Sequence, residues 1–298
     1  MVKFISVLVT ALMFSFSAQA AEPVGILVVG DSWAWLSCQF GSFDAELKHQ
    51  GYKSENAEVR AKIYGCNQTT EGGLKSYHLV EEKYQYKIRE QLLKHEDVKI
   101  VYISAGGNDF SKYWNKQNTE AEETAIFEKI RSHLQNVSDF ILSVRPDVKI
   151  LITGYDYPNF KDFIQIKPYK EKFENMGRPS VLELNSALLR MAAYLSTRLN
   201  NSAGNINYIH HYGLMHYYYG QKKYGLEKKQ TAHPSLISSP DSPESFGGDI
   251  SMETPPEGCM RVTKKYLDAF HLSPNGFQKA FRHSIYMYLA EWLEEFSR

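Results

Sequence analysis

The chain is poor in cysteine, balanced in charge and without long apolar runs. Three cysteines in 298 residues, Cys38, Cys66 and Cys259, are too few for a disulfide framework, although one bridge is allowed. Its 34 basic residues match 34 acidic ones, which argues against a nucleic-acid or polybasic membrane surface. No apolar stretch reaches the roughly 20 residues that cross a bilayer. Internal repeats, low-complexity tracts and linkers are also missing, so a single domain is expected.

At the N-terminus Lys3 precedes the apolar run Phe4 to Phe16, and Ala18-Gln19-Ala20 supplies a small-x-small cleavage pattern. Residues 1–20 therefore read as a secretory signal peptide, with 21–298 as the exported domain, periplasmic or secreted. No cysteine follows the cut to suggest a lipid anchor. Cleavage removes one charge, Lys3, and leaves the balance near zero.

The spacing of apolar residues predicts strands over Gly25–Gly30, Glu58–Tyr64, Val98–Ser104, Lys149–Gly154 and Ile206–His210. Between them it predicts helices over Trp33–Gly51, Tyr84–His95, Ala121–Arg145 and Pro179–Asn200, and a last helix capped by Ser273 with Pro274 in its first turn. Strand and helix in alternation imply a parallel sheet with helices on both faces. The pattern lapses over 212–261, a Tyr-rich, Pro-rich and Ser-rich insertion of the kind that forms binding loops or lids. His210, His211 and His216 begin it, but their spacing matches no zinc pattern. His133, beside the apolar stripe of its helix, reads as a boundary histidine.

The chemistry gathers at strand ends. Gly30-Asp31-Ser32 closes the first strand, at the carboxyl edge where open α/β sheets bind ligands. Alone, Ser32 would read as a helix N-cap. Near the C-terminus, however, Asp268 precedes His271 by three residues, so one turn can aim a carboxylate at an imidazole. Serine, histidine and an orienting acid are the parts of an activated nucleophile. Gly106-Gly107-Asn108-Asp109 turns sharply at the end of the third strand, where the Asn108 amide could donate to an oxyanion. The polar loop from Gly65 to Leu74 reaches the same edge. Cys38, in the helix after Ser32, and Cys66, in that loop, could fall within bridging reach, leaving Cys259 as the odd thiol. Three unbridged thiols are the alternative.

With these blocks in order, the sequence resembles the SGNH hydrolases, also called GDSL esterases and lipases. Gly30-Asp31-Ser32 is similar to the family's first block, Gly107-Asn108-Asp109 to its third and Asp268-x-x-His271 to its last. The resemblance implies a flavodoxin-like three-layer α/β/α sandwich with a central parallel sheet. It also implies Ser32 as nucleophile, His271 as base, Asp268 as its partner and Asn108 as an oxyanion donor, with no metal or organic cofactor. Trp33 stands where the family has Leu. The second block should supply a glycine N–H; aligned backwards from Thr69-Thr70-Glu71-Gly72-Gly73-Leu74, that place falls on Asn67, whereas Gly65 fits only with a two-residue shift. The oxyanion donors implied are thus Ser32, Asn108 and Asn67 or Gly65.

The reaction expected is acyl transfer from an ester to water through an acyl-enzyme at Ser32, of esterase or lipase type. The substrate would be a small-molecule, lipid or glycan ester, with no nucleic acid and no integral membrane segment after signal cleavage. A carbohydrate or cell-wall O-deacetylase or O-acyltransferase is the alternative within the same chemistry, since tyrosines of the insertion could stack on sugar rings. A non-catalytic ligand-binding module on the same fold is the alternative outside it.

Overall fold

A computed structural model describes residues 22–165, 167–199, 204–219, 249–255, 257–259, 268 and 270–298. The expected signal segment lies outside the described residues, as does most of the insertion. Among the described residues no helix is long and apolar enough to cross a membrane.

The continuous Ile, Leu and Val run of the first strand suits a position shielded on both faces. β1 (Val24–Gly30) is buried along its whole length and pairs in parallel with β2 (Ala61–Tyr64) on one side and β3 (Val98–Ser104) on the other. β4 (Lys149–Thr153) and β5 (Ile206–Ile209) extend the sheet in the order β2-β1-β3-β4-β5, all parallel. All five expected strands are present, so the α/β class and the flavodoxin-like arrangement hold. β2 begins three residues later than expected.

The two-residue period of a strand sends successive side chains to opposite faces. Leu27, Val29, Val101, Ile103, Ile150 and Ile152 pack into one core. Helices α3 (Glu82–Lys94), α5 (Glu120–Val144) and α8 (Val181–Leu199) cover it. Ile26, Val28, Ile100, Tyr102 and Leu151 face the other core. There α1 (Ser32–Gln39), α2 (Ser42–His49) and α10 (Pro274–Ser284) lie, followed by a π turn at Ile285–Leu289 and α11 (Ala290–Ser297). Burying each aliphatic side chain among these is worth about 1.5–3 kcal/mol.

The helix expected over Trp33–Gly51 is instead two. Gly41, at φ +63°, adopts the left-handed conformation and lets the chain turn before Ser42 restarts. The short helices α4 (Gly107–Tyr113), α6 (Phe160–Phe163), α7 (Lys167–Asn175) and α9 (Leu214–Tyr219) were not expected from periodicity. The described parts of the insertion are tied down. The Thr254 hydroxyl donates to Tyr157 O at 2.7 Å, and Asn185 Nδ2 donates to the carbonyls of Ile250 and Met252 at 3.0 Å each.

Candidate active site

The ends of β1 and β3 approach so closely at Gly30 that only glycine fits. Its φ is +143°, and a Cβ there would lie 2.0 Å from Ser104 O. Asp31 then caps α1, its carboxylate accepting the Trp33 N–H at 3.0 Å. The cap is thus Asp31 and not Ser32, whose hydroxyl is left for other work. As the first residue of α1, Ser32 also carries an N–H with no partner inside the helix.

The Ser32 Oγ lies 2.7 Å from His271 Nε2. His271 stands just before α10, which Ser273 caps by accepting the Gly276 N–H at 3.1 Å. On the far side of the ring, Nδ1 bonds to Asp268 Oδ2. A carboxylate only accepts, so the ring hydrogen sits on Nδ1 and Nε2 offers its lone pair to the serine hydroxyl. The structure therefore brings together the three residues singled out at opposite ends of the sequence. Ser32 is 8% exposed and the His271 and Asp268 side chains 12% each, shielded from bulk water yet reachable at one face.

Asp268 is held by more than its histidine. Its Oδ1 accepts the N–H groups of Phe270 (2.9 Å) and His271 (3.1 Å) and the Tyr169 hydroxyl (2.8 Å). Burial pushes this carboxyl up, but the His271 bond and the other donors outweigh it, leaving its pKa below the ordinary carboxylate range. Asp31 differs. Fully buried, it is pushed up to about 7 despite bonds from the Tyr155 hydroxyl and the Trp33 N–H.

Asn108 lies beside the serine through Asp31. Its Nδ2 donates to Leu74 O at 2.9 Å and, at a longer 3.3 Å, to Asp31 Oδ2. Asp109 faces inward and accepts both the N–H (2.7 Å) and the hydroxyl (2.9 Å) of Ser76. His133 Nδ1 meets the same hydroxyl at 3.0 Å, so this histidine ties α5 to the helical turn that begins at Ser76. Gly65, at φ +85°, is tucked against β1, where a Cβ would lie 2.4 Å from Thr69 Oγ1. Asn67 is exposed; its Oδ1 accepts from Gln39 Nε2 at 2.9 Å, and its backbone N–H donates to Oε1 of neighbouring Gln68 at 3.3 Å. The Cys38–Cys66 disulfide, with Cα atoms 5.4 Å apart, fastens this loop to α1, and Cys259 is buried elsewhere.

Sequence reasoning missed Tyr169, which bonds Asp268, and Tyr155, which stacks on Trp33 with ring centroids 4.7 Å apart. Neither sits in a motif or a strongly periodic segment. A signal for Tyr155 lay in Gly107, where a Cβ would fall 1.5 Å from its ring. The three histidines at the start of the insertion do not converge. His216 Nε2 meets Glu253 O at 2.8 Å, while His211 Nδ1 meets His283 at 3.1 Å. Among the described residues no group of three or more His, Cys, Asp and Glu side chains is placed to hold a metal ion.

The profile of the GDSL-like Lipase/Acylhydrolase family matches residues 26–284. The chain belongs to that family, a family of esterase-type hydrolases. Among solved structures it is similar to a gut microbial diltiazem-metabolizing enzyme, with TM-score 0.50 and 13% identity over 90% of this chain. It spans about half of that enzyme's length, 47%. A family 3 carbohydrate esterase from Clostridium thermocellum gives TM-score 0.44 and 13% identity over 93% of this chain and 100% of that one. The periplasmic domain of a lipopolysaccharide acetyltransferase from Salmonella ser. Paratyphi A gives 0.45 and 15% over 91% and 85%. These likenesses are of fold. No curated protein sequence matches the chain.

Proposed function

We propose that this GDSL-like family member is an exported serine hydrolase that cleaves carboxylic esters. The observation that carries the reading is the continuous line from Ser32 Oγ to His271 Nε2, and from His271 Nδ1 to Asp268. Ser32 attacks the acyl carbonyl as its proton passes to His271 Nε2, while Asp268 holds the Nδ1–H tautomer and stabilises the imidazolium. The tetrahedral oxyanion is received by the Ser32 N–H at the start of α1 and by Asn108, whose long 3.3 Å bond to Asp31 is the weaker of its two and the one to give up. An N–H of the 65–67 loop is the third donor. His271 then returns the proton to the departing alkoxide, and water cleaves the acyl-Ser32 ester by the same route. His271 carries each proton in this scheme, first from Ser32 to the alkoxide and then from the attacking water back to Ser32.

The test is covalent labelling of the mature protein with a fluorophosphonate, followed by peptide mapping. The adduct is expected on Ser32 and nowhere else, and Ser32→Ala should lose about 10,000-fold or more of the ester-cleaving rate. Full activity in Ser32→Ala, or labelling at another residue, overturns the reading.

A further inference from the structure

Among the described residues, the rim of the site carries lysines that rest on aromatic rings and make no ion pair. Lys172, on α7, sits half-buried with its ammonium 5.7 Å from the Tyr169 ring centroid and 5.5 Å from that of Phe270. Those two rings flank the Asp268–His271 turn, so Lys172 stands beside the His271 wall. Lys75 rises from the opposite wall, next to Leu74, whose carbonyl holds Asn108. Burial lowers the affinity of Lys172 for its proton; Asp268 and Asp31 oppose this, and the charge of Lys75 adds to it. From Lys75 the row continues outward. Lys75 Nζ is 5.9 Å from the Tyr77 ring, Lys112 Nζ lies 6.0 Å from Tyr77 and 4.9 Å from Tyr113, and Lys129 Nζ is 4.9 Å from Tyr113 on its other approach.

Four ammoniums interleaved with two half-buried tyrosines thus lead away from Ser32. Among the described residues none of the four makes an ion pair. The contrast within the molecule is Tyr84, which also carries two lysines, Lys83 and Lys87, at 5.6 and 4.8 Å. There the ring hydroxyl is bonded to the Glu71 carboxylate, so the local charge is answered. Along the Tyr77 and Tyr113 row no described carboxylate bonds a lysine or a ring hydroxyl, and buried Asp109 acts on Lys112 only through space. A ligand with negative charge at intervals and flat apolar faces between them fits that alternation, because ammoniums meet its anions and tyrosine faces meet its rings.

We infer that the lysine row from Lys172 through Lys75 and Lys112 to Lys129 binds an extended acidic glycan, and that the ester cleaved at Ser32 is carried by such a chain. This rests on the serine ester hydrolase reading and names the substrate class of the same site. A sugar polymer bearing a carboxylate on successive residues supplies both the repeating charge and the ring faces; an anionic lipid presents one headgroup and an acyl chain, for which the row offers neither apolar length nor a single focus.

Two measurements separate this inference from the reading beneath it. The first is binding without chemistry. Ser32→Ala protein is titrated with de-esterified polygalacturonate and with neutral xylan by affinity electrophoresis. Retardation by the polyuronate alone is expected, weakening as salt screens the charges. The triple variant Lys75→Gln, Lys112→Gln, Lys129→Gln should weaken it at least about tenfold, since one exposed pair is worth up to about fivefold. The second is acetate release by the wild type from O-acetylated polygalacturonate and O-acetylated xylan, set beside fatty-acid release from phosphatidylglycerol vesicles. The acidic glycan should be the fastest by at least about tenfold, with the triple variant lowering the acidic-to-neutral ratio by a similar factor. Equal retardation by both glycans, a ratio untouched by the triple variant, or faster hydrolysis of the lipid overturns the inference while leaving the serine hydrolase intact. Binding of the polyuronate with no phosphonate labelling of Ser32 instead overturns the hydrolase reading and leaves the lysine row as an anion-binding surface. Lys112 and Lys129 are exposed, so their replacement is expected to leave folding unchanged.

Discussion

The Tyr169 hydroxyl donates a 2.8 Å hydrogen bond to Asp268 Oδ1, the carboxylate oxygen that does not bond the His271 ring. Burial and the adjoining Asp268 charge push the phenol's pKa above its ordinary value, so the phenol remains a donor. Tyr169 is a positioning residue: it fixes the plane of the carboxylate that fixes the imidazole. A hydrogen bond to a charged group contributes about 1.5–3 kcal/mol, and Tyr169→Phe should lower kcat about tenfold with KM little changed. Losing the donor also lets the Asp268 carboxyl rise toward its ordinary range, since the Tyr169 bond is one of those that hold it down. An unchanged kcat would leave Tyr169 as packing.

Asn108 makes a sharper case, because both amide hydrogens are engaged in the resting site. If one is lent to the oxyanion, Asn108→Ala should cost about 100-fold to 1000-fold in kcat. A fall of less than about threefold, measured on protein with unaltered melting temperature, would show that the amide serves only Leu74 and Asp31.

How far the sequence discloses this arrangement depends on what carries each signal. Apolar runs, and alternation in the case of β2, disclose the five strands, while short motifs single out Ser32 and Asn108 at strand ends and Asp268 and His271 ahead of the last helix, because those signals are local. The break at Gly41 is hidden because a single glycine inside an apolar period is also compatible with an unbroken helix. Tyr169 and Lys172 lie in α7, a short and mostly polar helix of nine residues, and only the folded chain brings them to the Asp268 turn. The resting bonds of Asn108 are equally invisible, since Leu74 O is set by a loop whose course no residue pattern dictates. Most of the 212–261 insertion, expected to shape the substrate site, falls outside the described residues.

Asp156 shows how a buried acid can hold the fold. Its carboxylate accepts the N–H groups of Tyr157 (2.7 Å), Gly213 (2.6 Å) and Met215 (2.7 Å), fastening the chain after β4 to the start of α9. Burial nevertheless pushes it up to about 7, as it does Asp31. A carboxyl raised in the folded state favours folding when protonated. Its contribution is therefore complete below the unfolded value of about 4 and is lost as pH rises through about 7. Wild-type melting temperature should fall across that window. Asp156→Asn should flatten part of the fall, while lowering stability throughout by about 1–3 kcal/mol because its NH2 must face a backbone N–H. Stability rising with pH from 4 to 7 in the wild type, with an unaltered slope in the variant, would contradict this.

The disulfide links stability to the site. Cys38 and Cys66 are 28 residues apart, and their bridge pins the 65–67 loop to the helix that begins with Ser32. Closing a loop of that length in the unfolded chain is worth about 3–4 kcal/mol on the chain-entropy account. The double variant Cys38→Ser, Cys66→Ser should therefore unfold at clearly lower denaturant concentration, by an amount of that order. If the loop also lends an N–H to the oxyanion, kcat should fall at temperatures where the variant is still fully folded, because a donor free to drift no longer meets the developing charge at hydrogen-bond distance. Phosphonate labelling of Ser32 needs only the Ser32–His271 pair and should persist, slowed but complete. A variant that loses stability yet keeps the wild-type kcat would make the bridge purely structural and would place the oxyanion donors at Ser32 and Asn108 alone.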